Sequence, residues 1–150
     1  MTKNNTVRLA SVRVITDDLP RSVRFYEALT GVKGQWLTDD FVEFVTPSAT
    51  FALSAPGRVA FITENTPRAG DNSSAIVEFL VDDTVALFAD LQEQFGEDLV
   101  VVQPPVLMPW GNQSALIRDP DGALINLYTP VTEQGMQLQA NRTPAFDSNP

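Results

Sequence analysis

The charged side chains that could do chemistry in this chain are those that interrupt strand-like segments. Arg13, Glu43 and Glu78 each lie among apolar residues in a segment with strand periodicity. A charge in such a place is costly to bury unless it is paired. Three interpretations follow: an internal ion pair between Arg13 and one glutamate, a glutamate that binds a cationic ligand, and a desolvated glutamate that acts as a general base beside an arginine that holds an oxyanion.

The aromatic and soft side chains that could contact a ligand lie in turns and loops. Trp36 follows a glycine-containing turn, and Trp110 lies between Pro109 and Gly111, so neither is in an obvious helix core. Indole rings stack on planar groups and attract cations, although either ring could equally pack within the fold or at a dimer contact. Met108 could form an adaptable pocket wall or pack in an ordinary way.

Composition restricts the chemistry further. The 150 residues contain no histidine and no cysteine, which excludes Ser-His-Asp and Cys-His catalysis, histidine-based metal triads and a disulfide framework. The formal charge is −9, from 10 basic and 19 acidic residues. This charge disfavours nucleic acid and anionic membranes as partners and permits a cationic ligand. No segment resembles a signal peptide or a membrane span, which favours the cytoplasm.

The first half of the chain predicts the order β-α-β-β-β. Residues 8–16 alternate as a strand, and Asp17-Asp18 suits the start of a helix that ends at Gly31. Residues 35–38, 41–46 and 49–55 then form three strands. Residues 57–73 are rich in Pro, Gly, Arg and Asn and form a linker, with a short strand allowed at 59–62.

The second half predicts the same order. A strand at 74–81 precedes a helix that Asp83 caps, and a further strand at 98–102 is broken by Gln103-Pro104-Pro105. A hairpin closes the half, with strands at 114–118 and 123–128 around the turn Asp119-Pro120-Asp121-Gly122. We assign the two turn aspartates a structural role, with Arg118 as a local partner.

The two halves are an internal repeat. Asp18 and Asp83 open the two helices 65 positions apart, and the same offset pairs Ser11 with Ile76. The closing turns, by contrast, are 73 positions apart.

The offset of the closing turns, from Pro47 to Pro120, pairs Leu53 with Asn126.

In each sheet we expect one apolar face under the helix and one mixed face that lines a cavity. We place on the mixed face Ser11, Arg13, Glu43, Phe51, Leu53, Ile76, Glu78, Leu80, Leu124, Asn126 and Tyr128.

Two segments carry a resemblance to a known family. VRLASVRVITDDLPRSVRFYEALTGV resembles the opening of a vicinal oxygen chelate module, and PWGNQSALIRDPDGALINLY resembles its closing hairpin. The family contains glyoxalase I, extradiol dioxygenases and bleomycin resistance proteins. The resemblance implies an α+β fold in which two βαβββ modules form an eight-stranded cup, here residues 8–56 and 74–130 within a single domain, 1–150.

The resemblance also indicates where metal ligands would stand. In the enzymes of the family, His, Gln or Glu on the first and last strands of the modules bind a divalent metal. The matching residues here are Ser11, Leu53, Ile76 and Asn126. Two are aliphatic and none is a carboxylate or histidine, so we expect no metal and no other cofactor.

The branch of the family that lacks these ligands binds drugs. Its bleomycin resistance proteins are acidic, metal-free homodimers that sequester cationic antibiotics, and this chain is similar in charge and in its Pro109–Gly111 segment. The resemblance therefore implies a homodimer that binds a small cationic or aromatic molecule and gives resistance to an antibiotic. The alternative is a metal-free isomerase, cyclase or lyase that uses Glu43 or Glu78 as a base and Arg13 as a partner.

The expected ligand-binding side chains combine the polar residues of the mixed face with the aromatic and apolar groups near it. They are Trp110, Trp36, Phe51, Leu53, Ser11, Arg13, Glu43, Glu78, Met108 and Asn126. Residues 131–150 contain few apolar residues, and we expect a flexible tail or an arm that crosses to a dimer partner.

A third interpretation is a protein that acts only through contacts with other proteins. It predicts a cup filled by its own side chains, with no accessible cavity.

Overall fold

The computed structural model describes residues 6–145 and has an α+β fold with two four-stranded sheets. Its contacts divide the chain into two compact units. The first contains the described residues up to Ala75 together with the turn Asp119–Ala123, and the second contains Ile76–Arg118 and the described residues from Leu124 onward. Within residues 6–145, no helix is long and apolar enough to cross a bilayer.

The first unit has the predicted β-α-β-β-β order. Its sheet has the strand order β1-β4-β3-β2, in which β1 runs parallel to β4 and the other pairs are antiparallel. The elements are β1 (Ser11–Ile15), α1 (Leu19–Thr30), β2 (Gln35–Thr38), β3 (Phe41–Val45) and β4 (Thr50–Ser54).

Helix α1 begins and ends where the sequence predicts. The Asp18 side chain accepts a hydrogen bond from the Arg21 amide at 3.1 Å, and Gly31 ends the helix with a φ of 68°. The helix packs its apolar side on one face of the sheet, where the centres of the Tyr26 and Phe51 rings lie 4.3 Å apart. The core of the first unit therefore lies between α1 and this face.

The turn Asp119–Ala123 is bound to α1 through buried polar groups. The Asp119 carboxylate is 2% exposed and accepts hydrogen bonds from the Tyr26 hydroxyl at 2.7 Å and from the amides of Asp121 and Ala123 at 2.9 Å. Asp121 accepts a hydrogen bond from Arg21 at 2.6 Å, so both turn aspartates have the predicted structural role. Burial and the nearby Asp119 charge raise the pKa of Tyr26 well above its ordinary value.

The segment after β4 differs from the expected short strand at 59–62. A 3-10 helix forms at Pro56–Val59, with Pro56 in its first turn. Arg58 donates to Asp40 Oδ1 and to Thr38 Oγ1, both at 2.8 Å, and Val59 is buried. The local structure is thus determined by Pro56, which favours a helical φ, and by Arg58, which reaches the β2–β3 turn.

The second unit repeats the order and adds one helix. Its sheet has the strand order β5-β8-β7-β6, with β5 parallel to β8. The elements are β5 (Ile76–Leu80), α2 (Thr84–Phe95), a 3-10 turn (Gly96–Asp98), β6 (Val100–Leu107), β7 (Asn112–Arg118), β8 (Leu124–Pro130) and α3 (Glu133–Ala140).

Strand β6 is longer than the sequence predicts. The expected break at Gln103-Pro104-Pro105 is absent, and the strand continues to Leu107 with irregular register between Val101 and Val106. Strand β6 lies at the edge of its sheet, where a proline without an N–H group removes no ladder hydrogen bond. The two prolines therefore interrupt the register but not the strand.

Helix α3 lies in the segment that we expected to be a flexible tail or a dimer arm. Thr132 caps it by accepting a hydrogen bond from the Gly135 amide at 3.0 Å. The Gly111 carbonyl accepts hydrogen bonds from the amides of Val131 at 3.0 Å and Thr132 at 3.2 Å. Residues 133–140 are thus a helix held against the Trp110–Gly111 loop, while a dimer arm stays a prediction.

Candidate ligand-binding site

The register of the second sheet places Glu78 and Asn126 side by side. Glu78 pairs with Asn126 across β5 and β8, and Asn126 pairs with Leu116 across β8 and β7. The Asn126 amide nitrogen donates to Glu78 Oε2 at 2.8 Å. Ile125 and Leu127, the neighbours of Asn126 along the strand, are fully buried on the other face. We call the face with Glu78 and Asn126 the polar face of the second sheet.

A pocket of about 310 Å³ lies on this polar face and is closed on one side by α3. The sheet contributes carboxylate, amide and phenol groups, and the loop before β7 contributes an indole ring. The remaining lining residues belong to α3 and to Arg142, the second residue after its end. Its lining residues are Glu78, Trp110, Asn112, Asn126, Tyr128, Gly135, Leu138, Gln139 and Arg142. We call this the α3 pocket.

The loop that presents Trp110 is held by close backbone packing. Gly111 has a φ of 99°, which strongly favours glycine, and its amide donates to the Met108 carbonyl at 2.9 Å. A Cβ atom on Gly135 would lie 2.5 Å from the Gly111 carbonyl oxygen, so only glycine lets the helix approach. The Trp110 side chain remains 48% exposed beside the pocket. Met108 is half-buried, and its backbone amide donates a hydrogen bond to the Asn112 carbonyl, which holds the other side of the loop.

Tyr128 connects the sheet to α3. Its side chain is 7% exposed, and its hydroxyl donates to Gln139 Oε1 at 3.2 Å and accepts from Arg142 Nη1 at 3.4 Å. Gln139 and Arg142 were missed as site residues because they lie in the expected tail. The capping threonine at Thr132, with Met136 and Leu138 after it, is the only signal in the sequence for a helix there.

The first sheet carries a related row of side chains. Arg13 pairs with Ala52 and Ala52 with Glu43, so Arg13 and Glu43 share the face opposite α1, as predicted. Within residues 6–145 neither forms an ion pair with the other, and the Arg13 guanidinium instead lies 5.8 Å from the centre of the Phe41 ring. The predicted ion pair does not form between Arg13 and Glu43, where a cation–π contact with Phe41 takes its place, whereas a pair of Arg13 with Glu78 stays a prediction.

Two predicted ligand contacts, Phe51 and Leu53, lie in the core. Phe51 is 4% exposed and Leu53 is fully buried under α1, on the face opposite Arg13 and Glu43. Placing them on the mixed face was wrong. The register matches Asn126 with Ala52, since Glu78 pairs with Asn126 as Arg13 pairs with Ala52, and a slip of one residue reverses every side chain of a strand.

The other predicted site residues are spread over both units. Trp36 pairs with Val42 on the edge strand β2 and so lies on the α1 side of the first sheet, away from Glu43. Ser11 is exposed at the start of β1, and Ile76 is half-exposed at the start of β5. The α3 pocket therefore contains only Glu78, Trp110 and Asn126 of the predicted set.

The donor set of the α3 pocket does not fit a divalent metal. Glu78 is its one carboxylate, its Oε2 atom already accepts from Asn126, and the Arg142 guanidinium lines the same pocket. Within the described residues 6–145, no three His, Cys, Asp or Glu side chains are grouped as metal ligands would be. A cation that needs several oxygen or nitrogen ligands would meet one carboxylate and a positive charge.

Comparison with known proteins identifies the family. Residues 8–127 match the model of the Glyoxalase/Bleomycin resistance protein/Dioxygenase superfamily, and the chain belongs to this superfamily. The match extends from the first strand of the first unit into β8, the last strand of the second, as the resemblance predicts. Among curated proteins, none matches the chain.

Solved structures share the fold. A glyoxalase/bleomycin resistance protein/dioxygenase family enzyme from Burkholderia phytofirmans superposes with a TM-score of 0.68 at 16% identity, over 83% of this chain and 100% of that chain. A protein of the same description from Nocardioides gives 0.65 at 18%, over 87% and 88%. A glyoxalase-related enzyme from Fulvimarina pelagi gives 0.68 at 16%, over 85% and 94%.

Proposed function

We propose that this protein binds a small cationic aromatic molecule in the α3 pocket without the help of a metal ion. The observation that carries the proposal is the combination of an oriented carboxylate, Glu78, with a half-exposed indole ring, Trp110, in one pocket. An indole face attracts cations and stacks on planar groups, and a carboxylate accepts hydrogen bonds from an ammonium group.

The geometry of Glu78 supports this role. Asn126 holds Oε2, whereas Oε1 accepts no hydrogen bond from any residue between 6 and 145. The carboxylate is therefore held through one oxygen, and the other can accept a hydrogen bond from a ligand in the pocket. The formal charge of −9 also favours the approach of a cation over that of an anion.

The size of the pocket supports a small ligand. About 310 Å³ lies at the lower end of the volumes that hold drug-sized molecules. Polar groups line most of it, and Trp110, Leu138 and the Tyr128 ring supply the apolar contact. This composition suits a compact molecule with one planar group and one charged group better than a long apolar one.

The biological use that this binding would serve is sequestration of a toxic compound such as an antibiotic, by a homodimer in the cytoplasm. The superfamily includes bleomycin resistance proteins, and the donor set of the pocket suits binding rather than metal-dependent turnover. Light scattering of the purified protein tests the dimer, and growth of cells that express it in the presence of cationic drugs tests the resistance.

The experiment that tests the binding is a fluorescence titration with a panel of cationic aromatic compounds, in buffer that contains a chelator. We expect saturable quenching in the wild-type protein and in Trp36→Phe, and no saturable change in Trp110→Phe, because only Trp110 lines the pocket. Absence of binding across the panel, or a response that depends on Trp36 instead, would refute the proposal.

A further inference from the structure

The α3 pocket contains a positive charge that the proposed binding of a cation does not use. Arg142 is the second residue after the end of α3, and its side chain lines the same pocket as Glu78. No pattern in the sequence predicts a cation there, since residue 142 lies in the segment expected to be a tail. Like-charge repulsion from this group would weaken the binding of a purely cationic ligand.

The Arg142 side chain is held toward the pocket by its neighbours. Its Nη1 atom donates to the Tyr128 hydroxyl at 3.4 Å, and that hydroxyl donates onward to Gln139 at 3.2 Å. Its backbone amide donates to the Gln139 carbonyl at 3.3 Å, so the residue continues the last turn of α3. Side chain and backbone are thus both connected to residues of the pocket wall.

Arg142 forms no ion pair with any carboxylate among residues 6–145. Its remaining N–H groups can therefore donate to an anionic group, and a guanidinium binds carboxylate or phosphate oxygens in a two-pronged geometry. Glu78 lies in the same cavity of about 310 Å³, so one small molecule can reach both charges.

We infer that the ligand of the α3 pocket is amphoteric. It carries a cationic group that Glu78 binds, an anionic group that Arg142 binds, and a planar group that stacks on Trp110. This inference rests on the proposed function and narrows its ligand to one class, of which aromatic amino acids and other aminocarboxylates are the simplest members.

A purely structural role for Arg142 predicts a different result. A cation at the end of a helix interacts favourably with the helix dipole, so Arg142 could serve only to stabilise α3. In that case its removal would lower the stability of the helix and would weaken all ligands alike. Selectivity between ligands of different charge separates the two roles.

The experiment uses matched aromatic compounds that share a ring and differ in charge. Phenethylamine, 3-phenylpropionate and phenylalanine form one such set, and the corresponding naphthyl compounds form a second. We expect calorimetry on the wild-type protein to show about fivefold tighter binding of the amphoteric member than of the amine, and weaker binding of the acid. In Arg142→Gln the amphoteric member should fall to the affinity of the amine.

The matched control is Arg24→Gln, which removes one exposed positive charge from α1 in the first unit. It should leave the preference for the amphoteric compounds unchanged. Amines that bind as tightly as the amphoteric compounds, in a manner that depends on Trp110, would overturn the inference and keep the proposed function. Absence of binding by every member of both sets would overturn both.

Discussion

The Asn126 side chain donates a hydrogen bond to Glu78 Oε2 at 2.8 Å, across the parallel strands β8 and β5. Because the two residues stand directly opposite each other, the bond fixes the carboxylate without bending either strand. The first sheet has Arg13 and Ala52 in the corresponding places, so the Glu78–Asn126 pair has no counterpart at that position of the first unit. This pair is the centre of the proposed ligand site.

The first prediction concerns the charge of Glu78. Replacing it in Glu78→Gln keeps the shape of the side chain and removes the negative charge. Binding of a cationic aromatic compound should weaken about fivefold, because an exposed ion pair contributes up to about 1 kcal/mol. Calorimetry at low ionic strength measures the change, and added salt should reduce the difference between the two proteins.

The control for this variant is Glu93→Gln, which removes an exposed charge of the same sign from α2 in the same unit. It should leave the affinity within the error of the measurement. Equal losses in the two variants would mean that only the net charge of the protein matters, and would count against a specific contact with Glu78.

The second prediction concerns the contact between Gly135 and Gly111. In Gly135→Ala the new methyl group would lie 2.5 Å from the Gly111 carbonyl oxygen, so α3 must shift away from the Trp110 loop. The free energy of unfolding should fall by about 1–3 kcal/mol, more than alanine gains over glycine in helix propensity. Chemical denaturation measures the loss, and ligand binding should weaken with it.

Gly57→Ala provides the comparison, since a Cβ atom there has no neighbour within 4 Å. Its stability should stay within about 0.5 kcal/mol of that of the wild-type protein. A Gly135→Ala protein as stable as this control, with unchanged ligand affinity, would show that α3 does not need its close approach to the loop.

The third prediction concerns the buried hydrogen bond between Tyr26 and Asp119. Tyr26→Phe removes one of the donors to a carboxylate that is 2% exposed, which should cost about 1.5–3 kcal/mol of unfolding free energy. Tyr128→Phe makes the same chemical change where the partners are the half-buried Gln139 and the exposed Arg142, and should cost less than about 1 kcal/mol. Similar losses in the two variants, measured by urea denaturation, would contradict this ranking.

The fourth prediction is a loss of stability at alkaline pH. Burial, followed by the nearby charge of Asp119, raises the pKa of Tyr26 in the folded protein, whereas an unfolded tyrosine ionises near pH 10. The neutral phenol therefore stabilises the fold fully below about pH 10, and this contribution is lost as the pH rises from there through the folded pKa, by up to about 1.4 kcal/mol per pH unit.

Denaturation of the wild-type protein and of Tyr26→Phe as a function of pH isolates this effect, since the slope due to Tyr26 should be absent in the variant. Ultraviolet titration of Tyr128→Phe, which retains Tyr26 as its single tyrosine, should show the phenol ionising well above its ordinary pKa. Ionisation near pH 10 in the folded variant would show that the hydroxyl is not buried beside Asp119.

The sequence predicts the repeated β-α-β-β-β order because strand alternation, aspartate caps and glycine stops are local signals. It does not predict the register, which depends on pairing between distant strands. Matching the turns at Pro47 and Pro120 predicts an offset between the two closing strands that is one residue shorter than the offset in the structure. The error matched Asn126 with Leu53 instead of Ala52, and so placed Leu53 in the ligand site. Leu53 is instead fully buried under α1.

The polar residues of the site were easier to predict than its apolar walls. Arg13, Glu43 and Glu78 interrupt apolar strands, and the register places each on the face away from the helix side, because a charge there avoids burial in the core. Helix α3 is short and weakly patterned, and its position depends on the packing of Gly111 against Gly135 rather than on its own sequence. The contribution of α3 to the pocket could therefore not be predicted from the sequence and is seen only in the structure.

Native mass spectrometry of the protein purified from its source, with elemental analysis of the same sample, shows directly whether the protein holds an organic molecule or a metal ion. We expect a bound organic molecule without a stoichiometric metal, and a ligand mass that disappears when Trp110 is replaced by alanine. A stoichiometric, tightly bound divalent metal would contradict it, because the α3 pocket offers one carboxylate beside a guanidinium.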